Sequence, residues 1–312
     1  MSTRPDACSL QSLVRRKKAF AFRAKALAST RRFFDNAGFI ETDTPVGVLA
    51  PAPEEYIEAP KAASFFLRTS PELQMKRLLA AGMERIYQLG PCFRLGESGR
   101  LHRPEFAMLE WYMAGTSYLE LLDFTKRLVQ GVAQEICGSS SIFFRGQRIE
   151  LGGEWEAIPV REAFKRFAGE DADKCAAEDR FELVLVDKVE PALPKDRPSI
   201  LIDYPSRFGA FARPKPSDPS LCERWEIYIG GVELANAYGE LVSPSIQRER
   251  FAAFSKTRKE LKMAEYPEPT AFLEALDAGI PESSGCALGF DRMVMLLAGA
   301  DSIDDVCYPL DS

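Results

Sequence analysis

The stretch from Arg94 to Tyr112 combines a basic residue, a polar loop and an alternating run of side chains that could bind a ligand. Phe106, Met108, Glu110 and Tyr112 recur at every second position, so a β-strand would place them on one face. The positions between them are apolar and predict a core face. An aromatic ring, a carboxylate and a phenol could line a pocket, and Arg94 could hold a phosphate or carboxylate through two hydrogen bonds. On spacing alone, the alternative is an ordinary hairpin whose polar side faces solvent.

A second candidate site lies in the segment WEIYIGGVELANAYGE, where Gly230 and Gly231 form a two-residue hairpin turn signal. This turn would pair Tyr228 with Glu233 and place Glu226 on the same face. Two converging carboxylates repel each other unless a divalent cation such as Mg²⁺ lies between them. The alternative is a surface face with two solvated glutamates.

Three further features could contribute to the same chemistry. Glu240 follows Glu233 by seven residues, so simple alternation places it on the opposite face, and only a bulge would bring it to the same site. Gly285 and Gly289 flank a tight backbone segment before an apolar helix that begins near Arg292. An arginine at that position could stack on a nucleobase or reach a terminal phosphate. The chain contains no GxxxxGK[ST] phosphate loop.

The sequence pattern predicts the elements that position these residues. We expect helices at 10–38, 70–83, 117–136, 160–168 and 247–263, and strands or hairpins at 85–94, 143–151, 181–187, 199–205 and 223–241, with a proline-rich loop around 214–219. Ser70 is expected to cap the second helix, with Pro71 at its first position. We find no internal repeat and no linker. The chain is therefore predicted to be one α+β domain, residues 1–312, with a largely antiparallel β-sheet flanked by helices.

Composition excludes several other classes of protein. The 312 residues carry a formal net charge of -6 and a pI near 5.2, which argues against a general nucleic-acid binder. Seven cysteines without a CxxC spacing suggest neither a disulfide framework nor a zinc site, so we expect a cytoplasmic protein. No apolar run approaches the roughly 20 residues of a membrane helix, so no membrane partner is expected. The single histidine, His102, does not support a histidine-rich metal site or a Ser-His-Asp triad.

Three separated segments, in order, resemble motifs 1, 2 and 3 of the class II aminoacyl-tRNA synthetases. They lie at about 20–45, 86–112 and 285–300, and include ETDTP, the FR…PEF…LEWY hairpin and GCALGFDR. The words RTSPELQMKRLL, HRPEFAMLEWY and VELANAYGEL are similar to lysyl-tRNA synthetases in particular. The resemblance covers roughly residues 15–308. It implies a class II catalytic core that activates lysine with ATP and Mg²⁺.

The same resemblance narrows the expected acceptor. Lysyl-tRNA synthetases carry an N-terminal OB-fold that reads the anticodon, whereas motif 1 here begins almost at the N-terminus, so we expect a core without that domain. In this respect the chain resembles paralogues that transfer (R)-β-lysine to a lysine ε-amine of elongation factor P. Ala287 agrees with those paralogues, because lysyl-tRNA synthetases typically have glycine there. One methyl group can change which amino-acid isomer fits, by about 1–3 kcal/mol.

The resemblance also implies roles for individual residues. Arg94 and Arg292 would be catalytic, and Glu226 and Glu233 would hold Mg²⁺ on the phosphates. The residues implied in ATP binding are Arg94, Glu97, Arg103, Phe106, Glu233, Leu234, Gly289 and Arg292, with adenine stacked between Phe106 and Arg292. The residues implied in lysine binding are Ser70, Glu72, Tyr112, Asn236, Glu240 and Ala287.

The chain also departs from the family pattern in the motif 2 loop. Leu95 and Gly96 follow the arginine where the family usually reads Asn-Glu, and Arg103 replaces an asparagine that is thought to touch ATP. Two alternative functions therefore stay open: a minimal enzyme that charges tRNA, and an inactive paralogue that binds or regulates a partner. The acidic pI and the expected lack of an OB-fold make tRNA the less favoured acceptor. Motif 1 builds the dimer interface of the family, with Pro45 at its centre, so we expect a homodimer.

Overall fold

A nine-stranded β-sheet forms the centre of the computed structural model, which describes residues 10–309. The strands are β1 Ile40–Glu41, β2 Gly47–Val48, β3 Lys61–Ala62, β4 Phe65–Leu67, β5 Arg85–Phe93, β6 Glu105–Ala114, β7 Ser141–Phe144, β8 Gln147–Glu150, β9 Glu156–Pro159, β10 Ser199–Pro205, β11 Pro214–Lys215, β12 Asp218–Ile229, β13 Val232–Gly239 and β14 Ser283–Gly289. The helices are α1 Leu10–Asn36, α2 Glu72–Ala80, α3 Tyr118–Cys137, α4 Val160–Ala163, α5 Ala172–Ala177, α6 Phe181–Val184, α7 Glu190–Ala192, α8 Pro244–Glu260, α9 Thr270–Gly279 and α10 Phe290–Ala298. Single π-helical turns, Phe164–Ala168 and Leu185–Val189, continue α4 and α6.

The strand order of the large sheet is β1-β5-β6-β14-β13-β12-β10-β9, and β11 pairs with β12. The pairs β1–β5 and β9–β10 are parallel, whereas the pairs from β5 to β10 are antiparallel. The predicted α+β class with a largely antiparallel sheet flanked by helices is therefore confirmed. β2, β4 and β3 form a separate small sheet, as do β7 and β8.

One face of the central strands is apolar and forms the main core. Leu109 and Trp111 on β6 and Trp225 on β12 are fully buried in the core cluster to which α1, α3 and α10 contribute. The indole Nε1 of Trp225 donates a hydrogen bond to the carbonyl oxygen of Tyr118, at 2.7 Å, so the polar atom of the ring is satisfied. The predicted core face of the 106–112 segment is correct.

The opposite face of the sheet is only partly covered by helices. Leu73 and Leu79 from α2 and Leu276 from α9 pack with Ile86 and Tyr112 near the β5–β6 end of the sheet. Helix α9 was not predicted from the sequence. The middle of this face, across β6, β14, β13 and β12, remains available for a polar cavity.

The prediction of a strand at 181–187 is wrong, because this segment is helical. Its run of β-branched and apolar residues favours a strand by propensity. However, the buried side chains are Phe181, Val184, Leu185 and Val189, and these spacings of three, four and eight residues belong to one helix face. Leu183 is exposed, as that face requires. Packing against β10 and β12 decided between the two periods.

Two other local predictions need smaller corrections. Helix α2 begins at Glu72, so Ser70 is not its N-cap, although the hydroxyl of Ser70 accepts a hydrogen bond from the Glu72 backbone at 3.0 Å. The proline-rich segment around 214–219 is a tight hairpin that contains β11 and the start of β12, rather than an irregular loop.

Candidate active site

On the partly covered face of the sheet, the middle strand β14 presents only small residues. On β14, the alternating positions Gly285, Ala287 and Gly289 face away from the main core. Ala287 lies between Glu110 on β6 and Asn236 on β13, which are its two cross-strand partners. Cross-strand partners share a sheet face, so the small residues of β14 form a floor between longer side chains on β6 and β13.

A bulge in β13 brings Asn236 and Glu240 to this face. Tyr228 pairs with Glu233, as the Gly-Gly turn predicted, but Glu226 pairs with Asn236. One extra residue on β13 therefore lies between these two pairs. Glu233 lies on the Glu226 face through its pairing with Tyr228, and the bulge adds Asn236 to that face and brings Glu240 to the same side, next to Gly285. The sequence pattern indicated that Glu240 could join this site only through a bulge, and the structure shows where that bulge lies.

The floor and the strands around it enclose a cavity of about 390 Å³, which is within the usual size of small-molecule sites. The predicted site residues that line it are Arg94, Glu97, Arg103, Phe106, Glu226, Glu233, Leu234, Asn236, Ala287, Gly289 and Arg292. Ser70, Glu72, Tyr112 and Glu240 lie instead in a closed polar cluster beside this cavity. The structure thus separates the predicted ATP residues from most of the predicted lysine residues.

Arg94 lies at the end of β5 with its guanidinium in the cavity. It lies over the ring of Phe106, 5.2 Å from the ring centroid, and its Nη1 is 3.5 Å from the Glu97 carboxylate. Its buried Nε has no partner within residues 10–309. Burial acts to lower the pKa of Arg94, but the surrounding carboxylates, Glu54 foremost, raise it above its ordinary value. Arg94 therefore remains a cation with donors available for an anionic ligand.

Arg292 lies in the first turn of α10 and connects three parts of the cavity wall. Its Nη1 donates to the carbonyl and carboxylate oxygens of Glu233, at 2.8 and 3.2 Å. Its other nitrogens lie 3.3 Å from the Leu101 carbonyl and 2.7 Å from His102 Nε2. Burial, and next Arg292, lower the pKa of His102, so the imidazole is neutral at pH 7. Arg292 thus links the motif 2 loop to β13.

The two glutamates predicted to hold Mg²⁺ share the cavity but differ in environment. Glu226 is buried, and its carboxylate accepts from Tyr204 at 2.7 Å, Tyr228 at 2.6 Å and Arg224 at 2.5 Å. Burial acts to raise the pKa of Glu226, but Arg224 and the two phenols hold it below its usual range. The side chain of Glu233 is 41% exposed.

This donor set fits Mg²⁺. Both side chains offer the oxygen ligands that Mg²⁺ prefers, and an ionised carboxylate has more acceptor positions than Glu226 uses. No group of three or more acidic, histidine or cysteine side chains within residues 10–309 could enclose a metal ion. A cation held by two carboxylates would complete its coordination with phosphate oxygens and water.

The closed cluster contains a lysine from the chain itself. The buried ammonium of Lys76 lies 2.6 Å from Glu72 and 2.5 Å from Glu240, and 4.5 Å from the centroid of the Phe211 ring. A Cβ on Gly285 would collide with Tyr112 and Glu240, so glycine is needed where β14 passes this cluster. The carboxylates predicted to bind a lysine substrate are thus already arranged around an ammonium group.

Glu110 adds a further carboxyl group to this cluster. It is 2% exposed and accepts hydrogen bonds from Tyr112 at 2.6 Å and Ser70 at 2.7 Å. Burial, and next the negative charge of Glu72, raise the pKa of Glu110 to about 8. Burial likewise raises the pKa of Glu240 to about 7, although Lys76 opposes this. The cluster therefore holds more carboxyl groups than Lys76 alone can neutralise, and protonation near neutral pH limits its negative charge.

Asn236, like Ala287, is a predicted lysine-binding residue that lines the cavity. Its Nδ2 donates to the Tyr238 hydroxyl at 3.1 Å, whereas its buried Oδ1 has no partner in the described part of the chain. Arg103 lines the cavity too, but its guanidinium turns toward the C-terminal segment. It donates to the Tyr308 carbonyl at 2.9 Å and lies 3.5 Å from Asp304.

Three residues of this region are not among the site residues predicted from the sequence. Glu110 lies on the predicted polar face of its strand, and Lys76 lies within RTSPELQMKRLL, but neither pattern predicts a role for them. Glu54 lines the cavity from the segment between β2 and β3, and only its position in a proline-rich stretch marked it. Nothing in the local pattern could have predicted that this segment covers the cavity.

The family described as tRNA synthetases class II (D, K and N) matches residues 9–311 of the sequence. The chain belongs to this family. The segments predicted to be motifs 1, 2 and 3 lie on α1 with β1, on the β5–β6 hairpin, and on β14 with α10.

Relatives within this family carry two different names. Two proteins named elongation factor P--(R)-beta-lysine ligase, from Vibrio cholerae and Erwinia tasmaniensis, are 36% and 38% identical over 91% of this chain and 92% of their own lengths. A lysine--tRNA ligase from Pelotomaculum thermopropionicum is 35% identical over 94% of this chain. The alignment covers 63% of that relative's length.

No helix within residues 10–309 is long and apolar enough to cross a membrane.

Proposed function

We propose that this class II synthetase-like chain activates lysine, and in particular (R)-β-lysine, with ATP and transfers the aminoacyl group to a lysine ε-amine of elongation factor P. The observation that carries the proposal is the charge of the closed cluster. Glu72, Glu110 and Glu240 surround a single cation, Lys76. A lysine isomer brings two ammonium groups, which would pair with these carboxyl groups and favour their ionised form. An amino acid with an apolar side chain would leave these carboxylates uncompensated.

In this proposal, ATP occupies the open cavity. Arg94 and Arg292 are the catalytic cations, with Arg94 on the α-phosphate. Adenine lies against Phe106, with Arg292 on its other side. The remaining contacts that we assign to ATP are Glu97, Arg103, Glu233, Leu234 and Gly289. The stack of Arg94 on Phe106 supports a position of the α-phosphate next to the adenine site.

Lysine would occupy the closed cluster and extend its carboxylate toward Arg94. Glu72 and Ser70 take the amine near the carboxylate, and Tyr112 and Glu240 take the distal ammonium. Asn236 supports the distal end through its unpartnered Oδ1. Ala287 lies on the floor between these residues, where its methyl group limits the space for the isomers.

The chemistry follows from positioning and charge. The lysine carboxylate attacks the α-phosphorus in line with the departing pyrophosphate, and Arg94 neutralises the charge that develops on the α-phosphate. Glu226 and Glu233 would hold Mg²⁺, which supplies further charge neutralisation on the phosphates when bound. The mixed anhydride then acylates the acceptor amine and AMP leaves. This reaction needs no covalent enzyme nucleophile.

Two acceptors of the aminoacyl group are considered, elongation factor P and tRNA. Elongation factor P is supported by the names of relatives that align over nearly their whole length, and by Ala287. A lysine--tRNA ligase is almost equally similar in sequence, so charging of tRNA is the second candidate function. We further propose a homodimer in a reducing cytoplasm, where the free thiols of buried residues such as Cys92 and Cys222 would persist.

ATP–pyrophosphate exchange with purified protein tests the activation step. Exchange should require an added amino acid, and it should be faster with (R)-β-lysine than with L-lysine. Transfer to elongation factor P and to tRNA is then measured separately. Transfer to tRNA alone would replace the proposed acceptor, and absence of exchange with either lysine would leave the inactive regulatory paralogue as the function.

A further inference from the structure

Glu54 is a cavity carboxylate whose charge acts on Arg94 and whose oxygens have no hydrogen-bond or ion-pair partner in the described part of the chain. It lines the cavity from the segment between β2 and β3. Within residues 10–309, no hydrogen bond or ion pair reaches its carboxylate oxygens. The other cavity carboxylates that we have assigned, Glu97, Glu226 and Glu233, each pair with an arginine. Glu54 is therefore available to a ligand.

The backbone around Glu54 is held in place by buried contacts. Arg258, which is 2% exposed, donates to the carbonyl oxygens of Glu54 and Ile57 at 2.9 and 2.7 Å. The Leu95 backbone donates to the Glu58 carbonyl at 2.7 Å, which ties the segment to the motif 2 loop. A carboxylate on such a supported segment has a defined position relative to Arg94.

The charges around Glu54 make it suited to accept a proton. Burial raises the pKa of Glu54 to about 7. Arg94 and Arg224 act to lower that pKa, whereas Glu72 and Glu97 act to raise it. A carboxyl group whose pKa lies near the working pH is an effective general base.

We infer that Glu54 is the general base of the transfer step, and this inference rests on the proposed function. Both ammonium groups of the amino acid are assigned to the closed cluster, so an unpaired carboxylate near Arg94 faces the third ammonium in the reaction, that of the acceptor lysine. Glu54 takes one proton from the acceptor ammonium. The neutral amine then attacks the acyl carbonyl carbon, a C–N bond forms, and the C–O bond to the phosphate breaks. The departing AMP takes the bond electrons, and the second proton of the amine passes to its phosphate.

The Glu54→Gln variant separates activation from transfer. It should keep amino-acid-dependent ATP–pyrophosphate exchange within about two-fold of wild type, since adenylate formation needs no general base in this scheme. Transfer to elongation factor P at neutral pH should fall by at least about 100-fold, the usual contribution of a general base. Transfer to hydroxylamine, which is largely uncharged at neutral pH, should be retained. Glu58→Gln, on the same segment but outside the cavity lining, is the matched control for both reactions.

The pH profile provides a readout that a structural role would not change. The wild-type transfer rate should rise through the pKa of Glu54, near 7, and then level, whereas the residual rate of Glu54→Gln should continue to rise with pH. If Glu54→Gln loses exchange and transfer equally, or if it transfers normally, the general-base inference is wrong while the proposed function still stands. If the wild-type protein forms the hydroxamate but acylates neither elongation factor P nor Nα-acetyl-lysine amide, the proposed amine acceptor and this inference fall together.

Discussion

At the scale of single residues, the closed cluster holds three carboxyl groups and one buried ammonium group. Glu110 is held between Ser70 and Tyr112 as a hydrogen-bond acceptor, yet burial and Glu72 keep it protonated near neutral pH. Lys76 supplies one positive charge. The free protein therefore keeps this cluster partly neutral by retaining protons, and a diamine bound at the proposed lysine site would release them.

The first prediction concerns the pH dependence of stability. The folded pKa of Glu110 is raised from about 4.5 to about 8, so the folded state binds an extra proton between these values. Stability from this group is complete at the acid end and is lost as pH rises through 8. The free energy of unfolding of wild type, relative to Glu110→Gln, should fall with rising pH, by at most about 1.4 kcal/mol per pH unit. Urea unfolding of both proteins across this window measures the difference, and two parallel curves would contradict it.

The second prediction concerns the floor of the site. In Gly285→Ala the new Cβ would collide with the Tyr112 ring and the Glu240 carboxylate, so these lysine-end side chains must move. We expect loss of lysine-dependent pyrophosphate exchange by at least about 100-fold, since small displacements of a positioned group are costly. Gly131→Ala in α3 is the control. A Cβ there makes only an ordinary contact with Phe33, at 3.7 Å, so exchange should be unchanged and the helix stabilised by about 0.5–1 kcal/mol.

At the scale of elements, α8 positions a segment that lies far from it in sequence. Arg258 in the last turn of α8 donates to the carbonyls of Glu54, Ile57 and Ala264, and its guanidinium lies 4.1 Å from the centroid of the Tyr266 ring. The hydroxyl of Tyr266 accepts a hydrogen bond from the Ala59 backbone at 2.7 Å. Helix α8 thus supplies the buried donors that hold the segment over the cavity.

The third prediction concerns the hydrogen bonds by which Arg258 holds the Glu54 segment. Arg258→Met removes the donors for three carbonyl groups, and we expect a loss of about 2–4 kcal/mol in the free energy of unfolding. Arg248→Met, on the same helix, removes an exposed pair with Asp277 and a long, exposed hydrogen bond of 3.4 Å to the Pro244 carbonyl, and should cost less than about 1 kcal/mol. Urea unfolding measures both variants. Equal losses in the two variants would show that the buried bonds of Arg258 have no special role.

At the scale of the whole molecule, apolar residues are exposed on the edge strand of the large sheet and in the segment after β2. Ile40 on β1, at the end of the strand order, is 54% exposed, and Leu49 in the segment after β2 is 69% exposed. Both lie close in sequence to Pro45, at the centre of the predicted motif 1 interface. Exposed apolar groups near a sheet edge favour association with another surface.

The fourth prediction is that the protein is a homodimer. Light scattering at micromolar concentration should give twice the mass of the 34.8 kDa chain. Ile40→Asp should shift the protein toward monomer, because it places a charge in the proposed interface. Leu261→Asp, at a similarly exposed position just after α8, should not. A wild-type monomer would contradict the proposed dimer.

The sequence alone determined much of the fold and the types of residue at the site. Period-two alternation identified the cavity face and the core face of β6, the Gly-Gly turn fixed the Tyr228–Glu233 register, and ordered motifs indicated the family. These signals are local, because a turn and a two-residue period are set by neighbouring residues.

Only the tertiary structure decided the features that depend on distant contacts. The bulge in β13 that brings Asn236 to the face of Glu226 and Glu233 arises from pairing with two neighbouring strands. The helical form of residues 181–189 depends on packing against the sheet rather than on propensity. The Glu54 segment lies over the cavity because Arg258, about two hundred positions away, supplies its buried hydrogen bonds. Interactions at such separations leave no local periodic signal in the sequence, so the chain had to be folded before they could be seen.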